Sequence, residues 1–190
     1  MRMPSAIAAA LITATTATAA RADVTSWLAV GGGYGFQTND ATATTGTAAA
    51  LTASLGVGSS PERRFIAGGV FRTVTHFGLG TDASLSARLA TQGFVRGGFG
   101  VAADLGAAYR PWRSGNYGDV PLQGIITIGF PAGLQLGLGG TFWNLTQDHP
   151  ALGAFAVLEV DLLRLTLMRK GVLDEYWPNP SAAGDIGRGK

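Results

Sequence analysis

The sequence predicts an all-β chain in which eight antiparallel strands, connected up-and-down, close into a barrel that crosses a membrane. Three observations carry this. Segments beyond residue 23 alternate with a period of two, which sends successive side chains to opposite faces of a sheet. The alternating runs are about 10 to 14 residues long, enough for a tilted membrane strand of roughly 9 to 11 residues. In run after run the large aliphatic and aromatic residues share one face, while the other holds Gly, Thr, Gln and the charges. A water-soluble barrel has the opposite polarity.

The first run sets Val24, Leu28, Val30, Tyr34 and Phe36 against Thr25, Trp27, Ala29, Gly31, Gly33, Gly35 and Gln37, and ends in a polar loop, residues 38–45. The second has Thr47, Ala49, Leu51, Ala53, Leu55 and Val57 outward, then a turn at Ser59-Ser60-Pro61-Glu62. The third, residues 63–73, is less regular, and a bulge near Gly68-Gly69 would shift its phase. In the fourth, Leu79, Ala83, Leu85, Ala87 and Leu89 oppose Asp82, Ser84, Ser86, Arg88 and Ala90. The fifth is read from Val95 to Tyr109, with Arg96, Gly98, Gly100, Ala102, Asp104 and Gly106 inward. Runs six and seven form the clearest hairpin, Pro121 to Leu145, turning at Phe130-Pro131-Ala132-Gly133, where Pro presets one backbone angle and Gly accepts a positive one. The eighth has Leu152, Ala154, Ala156, Leu158, Val160 and Leu162 outward, with Phe155, Glu159 and Asp161 inward. Tight connections are expected after strands two, four and six, and the more polar ones after one, five and seven.

Composition agrees. The 190 residues include 29 Gly and only 14% charged side chains, against about 7% Gly and 25% charge in ordinary domains. Absence of Cys excludes disulfides, thiolate metal sites and a lipoprotein anchor. No run of about 18 apolar residues follows the leader, so spanning helices are excluded, and in hydrocarbon the remaining way to satisfy a backbone is a closed barrel. Residues 1–22 read as a secretory signal peptide: Arg2, an Ala/Leu/Ile/Thr run, and an A-x-A site at Ala20-Arg21-Ala22. Its removal takes Arg2 and Arg21 and no acid, leaving 12 basic and 12 acidic residues. The basic charge balance is thus a leader effect, and no nucleic-acid partner is implied. The barrel is assigned to residues 23–169, and residues 170–190 to an extended or disordered periplasmic tail, a candidate for binding a periplasmic partner.

The charges follow the same parity. Arg72, Asp82, Arg88, Arg96, Asp104, Glu159 and Asp161 all fall on the small-residue face. An Arg facing lipid at mid-depth costs about 2–4 kcal/mol, so this face is the interior. Trp27 and Trp143 are expected inside as well. Tight hairpins would bring Arg88 near Arg96 and Asp82 near Asp104, so partners must come from across the lumen. The expected network has one layer pairing Arg88 and Arg96 with Glu159 and Asp161, and another pairing Arg72 with Asp82 and Asp104. Arg164, on the outward parity, is expected at the membrane interface.

On these residues the chain resembles the small eight-stranded bacterial outer-membrane barrels, of the type of the transmembrane domain of outer membrane protein A. The resemblance covers Val24 to Met168 and is one of pattern. It implies residence in the outer membrane, both termini on the periplasmic side and a monomer within the lipid bilayer. The chain departs from that type by continuing through Tyr176-Trp177-Pro178-Asn179-Pro180, and no periplasmic domain is expected, so the wall-anchoring role of the larger relatives is not implied.

Little else carries chemistry. His76 and His149 lack companion ligands, so no metal site is expected and no cofactor is implied. Gly31 to Gly35 lies within a strand with no helix after it, which is not a phosphate loop. Trp112, Arg113 and Tyr117 form the candidate surface-recognition loop. The leading expectation is a non-enzymatic outer-membrane barrel with a filled lumen, structural, surface-interacting or a very narrow conduit. An outer-membrane lipid-modifying enzyme using Ser84, His76 and Asp82 is the alternative. A soluble secreted barrel holding a small apolar ligand ranks last.

Overall fold

The computed structural model describes residues 24–39, 44–111, 119–146 and 151–163. The leader, Trp112, Arg113, Tyr117, His149, Arg164 and the tail lie outside the described residues. The strands are β1 (Thr25–Asn39), β2 (Thr44–Gly58), β3 (Phe65–His76), β4 (Gly80–Thr91), β5 (Gly100–Tyr109), β6 (Pro121–Gly129), β7 (Leu134–Asn144) and β8 (Gly153–Asp161). Each pairs antiparallel with the next, and β8 pairs with β1, so the barrel is closed. Closure leaves no edge strand with unpaired amides.

The pairing can be followed once round the barrel, from Trp27 through Gly56, Val70, Ser86, Gly106, Gln123, Thr141 and Gly153 to Gln37. The circuit climbs ten residues along β1, from Trp27 to Gln37. Such a stagger demands tilted strands, typically at about 35–45°. An eight-stranded barrel is just wide enough for side chains to fill it. Gly on the inner face lets the walls come close: a Cβ on Gly33 would run into the Ala156 carbonyl, and one on Gly106 into that of Leu85.

Four sequence expectations need correction. The fifth strand does not begin near Val95. Residues Gln92–Val95 form a helical turn, α1, and β5 starts at Gly100. The Thr91 hydroxyl caps this turn, accepting from the Phe94 amide at 3.4 Å and the Val101 amide at 3.0 Å. Phe94 and Val95 are completely buried, which a strand running outward from Thr91 could not achieve. Second, β3 has no bulge at Gly68-Gly69: its register to β2 and β4 is continuous. The irregularity sits between β6 and β7, where Leu122 faces Trp143 and the next residue, Gln123, faces Thr141. Third, that bulge at Phe142 flips the phase of β7. Trp143, expected inside, is 61% exposed, and Asn144 turns inward instead. Fourth, the β3–β4 connection, residues 77–79, is among the shortest, helped by Gly78 at φ 80°. Short connections therefore do not alternate strictly with long ones.

The two surfaces have opposite chemistry. Outside are Val30, Tyr34, Leu51, Leu55, Val57, Phe71, Leu85, Leu89, Leu105, Ile126, Leu138 and Leu158, all exposed. Inside, Arg72, Asp82, Arg88, Asp104, Gln123, Gln135, Glu159 and Asp161 are all buried.

Candidate functional site

The lumen is stacked in layers between a turn end, holding the connections after β2, β4 and β6, and an opposite loop end. Alternation along the strands delivers most members of these layers, and the stagger decides which strands meet at one depth. The lowest layer is apolar: Trp27 from β1, Ile66 and Val70 from β3, Ala90 from β4 and Ala102 from β5, closed by Phe94 and Val95 of α1. The turn enters the mouth of the barrel because glycines make room. A Cβ on Gly100 would strike the Phe94 amide, and one on Gly129 would come within 2.8 Å of the Phe94 ring.

A charged layer lies directly above. Arg88 Nε and Nη2 donate to Asp104 Oδ1 and Oδ2 at 2.6 and 2.7 Å, a bidentate pair between residues facing each other on β4 and β5. The Arg88 guanidinium also lies 5.2 Å from the Trp27 ring centroid and 5.7 Å from that of Phe94. Its cationic plane thus joins the apolar cap to the charge network. Arg72 Nη1 donates to Glu159 Oε1 at 2.7 Å, and Arg72 Nη2 lies 3.8 Å from Asp104 Oδ2. Thr52 adds a hydroxyl donor to Glu159 Oε1 at 2.7 Å. Two cations and two carboxylates from four strands form one chain across the lumen. Gly31 faces Glu159, and a Cβ on it would press against the Glu159 side chain at 2.7 Å.

Ala50, Val74, Ile125, Phe155 and Val157 form a second apolar cluster towards the loop end. Beyond it, Arg110 grips Asp82 through Nε at 3.1 Å and Nη2 at 2.8 Å. Arg110 is also tied through its backbone to Asp119. His76 and Gln37 meet at 3.3 Å between Nε2 atoms. At the turn end, Asp161 accepts from the Leu163 amide at 3.1 Å, with Gln135 Nε2 at 3.5 Å.

The structure thus brings Arg72, Arg88, Asp104 and Glu159 together and distributes the other expected residues. Asp82 belongs to a separate pair near the loop end, and Asp161 lies at the turn end. Arg96 is not in the lumen. It follows α1 on the outside of the turn, where Nη2 bonds the exposed Glu62 at 2.9 Å. The expected pairing of Arg88 and Arg96 with Glu159 and Asp161 is replaced by Arg88 with Asp104, and that of Arg72 with Asp82 by Arg72 with Glu159. Sequence reading missed Arg110, which lies just past the Val95 to Tyr109 run, although the inward parity of Ala102, Asp104 and Gly106 extends to it. It also missed Phe94, for which a strand pattern gives no signal.

As chemistry, the lumen holds fixed ion pairs: Arg72 and Arg88 with Asp104 and Glu159, and Arg110 with Asp82. Ser84 directs its hydroxyl to the Arg72 carbonyl oxygen at 3.2 Å rather than to an imidazole. Among the described residues no group of three or more His, Cys, Asp or Glu is placed to hold a metal ion. A groove of about 690 Å³ is lined by the outward Tyr34, Phe36, Ile126 and Leu138, with small residues and the edge of Phe155 at its floor. Comparison with known proteins returns no matching family model, no similar curated protein and no similar solved structure.

Proposed function

We propose that this chain is a bacterial outer-membrane β-barrel of the kind the sequence resembles, non-enzymatic, with a side-chain-filled lumen and a structural or surface-interaction role. One observation carries the reading: the described strands bury their charges inside and present bulky apolar residues outside. In water that exterior would far exceed the few hundred Å² of contiguous apolar surface a soluble monomer tolerates. In a bilayer it is the ordinary arrangement, since lipid-facing and lumen-facing residues alternate along each strand. The soluble, ligand-holding barrel needs the reverse polarity.

The lumen argues for a plug. A hydrated ion would have to cross the Trp27–Phe94 cap and then the Arg72, Arg88, Asp104 and Glu159 layer. Both steps strip hydration without offering a vacant counter-charge. Two measurements test the proposal. The purified protein should migrate differently on a gel before and after boiling and stay with the outer-membrane fraction on gentle lysis. In planar bilayers it should show no large, steady open conductance. Release into the soluble periplasm overturns the membrane reading; a stable large conductance overturns the plug.

A further inference from the structure

Among the described residues every exposed charge lies on one rim: Glu62, Arg63 and Arg64 on the β2–β3 turn, and Arg96 after α1. The two turns are braced together. Arg96 bonds Glu62, and Gln92 Nε2 donates to the Pro61 and Glu62 carbonyls at 3.3 and 3.2 Å. With Arg96 and Glu62 neutralising each other, Arg63 and Arg64 have no acidic partner among the described residues. The Arg64 guanidinium lies 5.7 Å from the centroid of the Phe65 ring, itself exposed on the outer face. That places a cation at the boundary between polar rim and apolar wall. Above it the wall is hollow. Ala67 and Gly69 face outward on β3, and beside Gly69 lie Val57 on β2 and Ala87 on β4. A Cβ on Gly69 would meet nothing within 4 Å.

We propose that Arg63 and Arg64 bind the phosphodiester headgroup of an anionic phospholipid, with an acyl chain lying in the hollow over Ala67 and Gly69. Guanidinium groups suit this role because their planar donors match phosphate oxygens two at a time. The inference rests on the membrane reading above. Each basic residue near a membrane surface strengthens binding to anionic lipid by about fivefold, so the pair should give about twenty- to thirtyfold.

The test uses the full chain inserted into phosphatidylcholine vesicles containing a minor fraction of phosphatidylglycerol. The protein is extracted in mild detergent, and retained lipids are identified by mass spectrometry of the intact complex. Phosphatidylglycerol should be retained over phosphatidylcholine by about twentyfold. The Arg63→Ala/Arg64→Ala variant should lose that preference. Both side chains are exposed, so its boiling-dependent migration should be unchanged. Gly69→Leu should weaken retention of both lipids and leave the preference intact. Equal retention by the wild type, or an undiminished preference in the double variant, overturns the inference while leaving the membrane reading standing. Displacement of the lipid by inorganic phosphate would make this a free-anion site and overturn the lipid assignment. A chain that does not insert into vesicles overturns both readings.

Discussion

Arg88→Ala is the most informative single perturbation of the barrel. The arginine and its partner Asp104 are both nearly inaccessible, at 2% and 1% side-chain exposure, and share two hydrogen bonds of 2.6 and 2.7 Å. Removing one member of a buried pair costs about 3–5 kcal/mol, because the other charge is left desolvated. Arg72, 3.8 Å from Asp104, compensates part of this and argues for the lower end of the range. The lost stacking over Trp27 and Phe94 works the other way, by about 0.5–2 kcal/mol. The expected destabilisation is therefore about 3–5 kcal/mol. Equilibrium urea unfolding in lipid vesicles, followed by tryptophan fluorescence, would measure it.

Two controls sharpen the test. Arg88→Leu/Asp104→Leu removes both charges, and replacing a buried pair by apolar groups is often neutral or stabilising by about 1–4 kcal/mol. Arg96→Ala breaks an ion pair whose side chains are 46% and 65% exposed, and should cost no more than about 1 kcal/mol. Planar-bilayer conductance of Arg88→Ala should stay closed, since the Trp27–Phe94 cap is untouched. If Arg88→Ala and Arg96→Ala cost the same, or the Leu pair is as damaging as the single change, the buried network is not what holds the lumen.

Other expectations can be checked with the same preparation. Gly33→Ala should destabilise by about 1–3 kcal/mol, because the methyl meets the Ala156 carbonyl, whereas Gly69→Ala should be close to neutral in the same urea titration. In single-tryptophan variants, brominated acyl chains should quench Trp143, which is exposed on the outer wall, and spare Trp27, which is 3% exposed in the lumen. Equal quenching of the two would contradict either the bulge at Phe142 or the bilayer around it. Trp27→Ala should lower stability by about 3–5 kcal/mol, as large buried aromatics generally do, with the charged layer still blocking steady conductance.

Strand number, strand polarity and the inner face were legible in the sequence because each depends on a period of two that Gly, Leu and Thr display openly. Phase errors arose where a local event breaks that period. At Phe142 one inserted residue turns Trp143 outward, and nothing in Gly-Thr-Phe-Trp-Asn distinguishes a bulged strand from a straight one. At Gln92-Gly93-Phe94-Val95 the alternation of Val95 with Arg96 continues that of β5, so a strand was read through a helical turn. The turn is decided by tertiary packing. Phe94 fills the space over Gly129 and against Arg88, contacts distant in sequence.

The pairing of lumen charges was a question of register, and the chain did carry a usable signal. With a tight hairpin, Arg88 would face Arg96; with eight connecting residues, 92–99, it faces Asp104. On β4 Asp82 precedes Arg88 by six residues, and beside β5 Asp104 precedes Arg110 by six. In an antiparallel pair, equal spacing means that the register joining Arg88 to Asp104 also brings Asp82 alongside Arg110. Both pairs are observed. Registers that bring like charges together leave them in a lumen from which water is largely excluded, where unpaired charge is costly. The register that satisfies both pairs leaves over the residues that become α1, and these fold back into the barrel mouth as its apolar cap. The charge spacing on two neighbouring strands thus sets the length of their connection, and that connection closes the lumen.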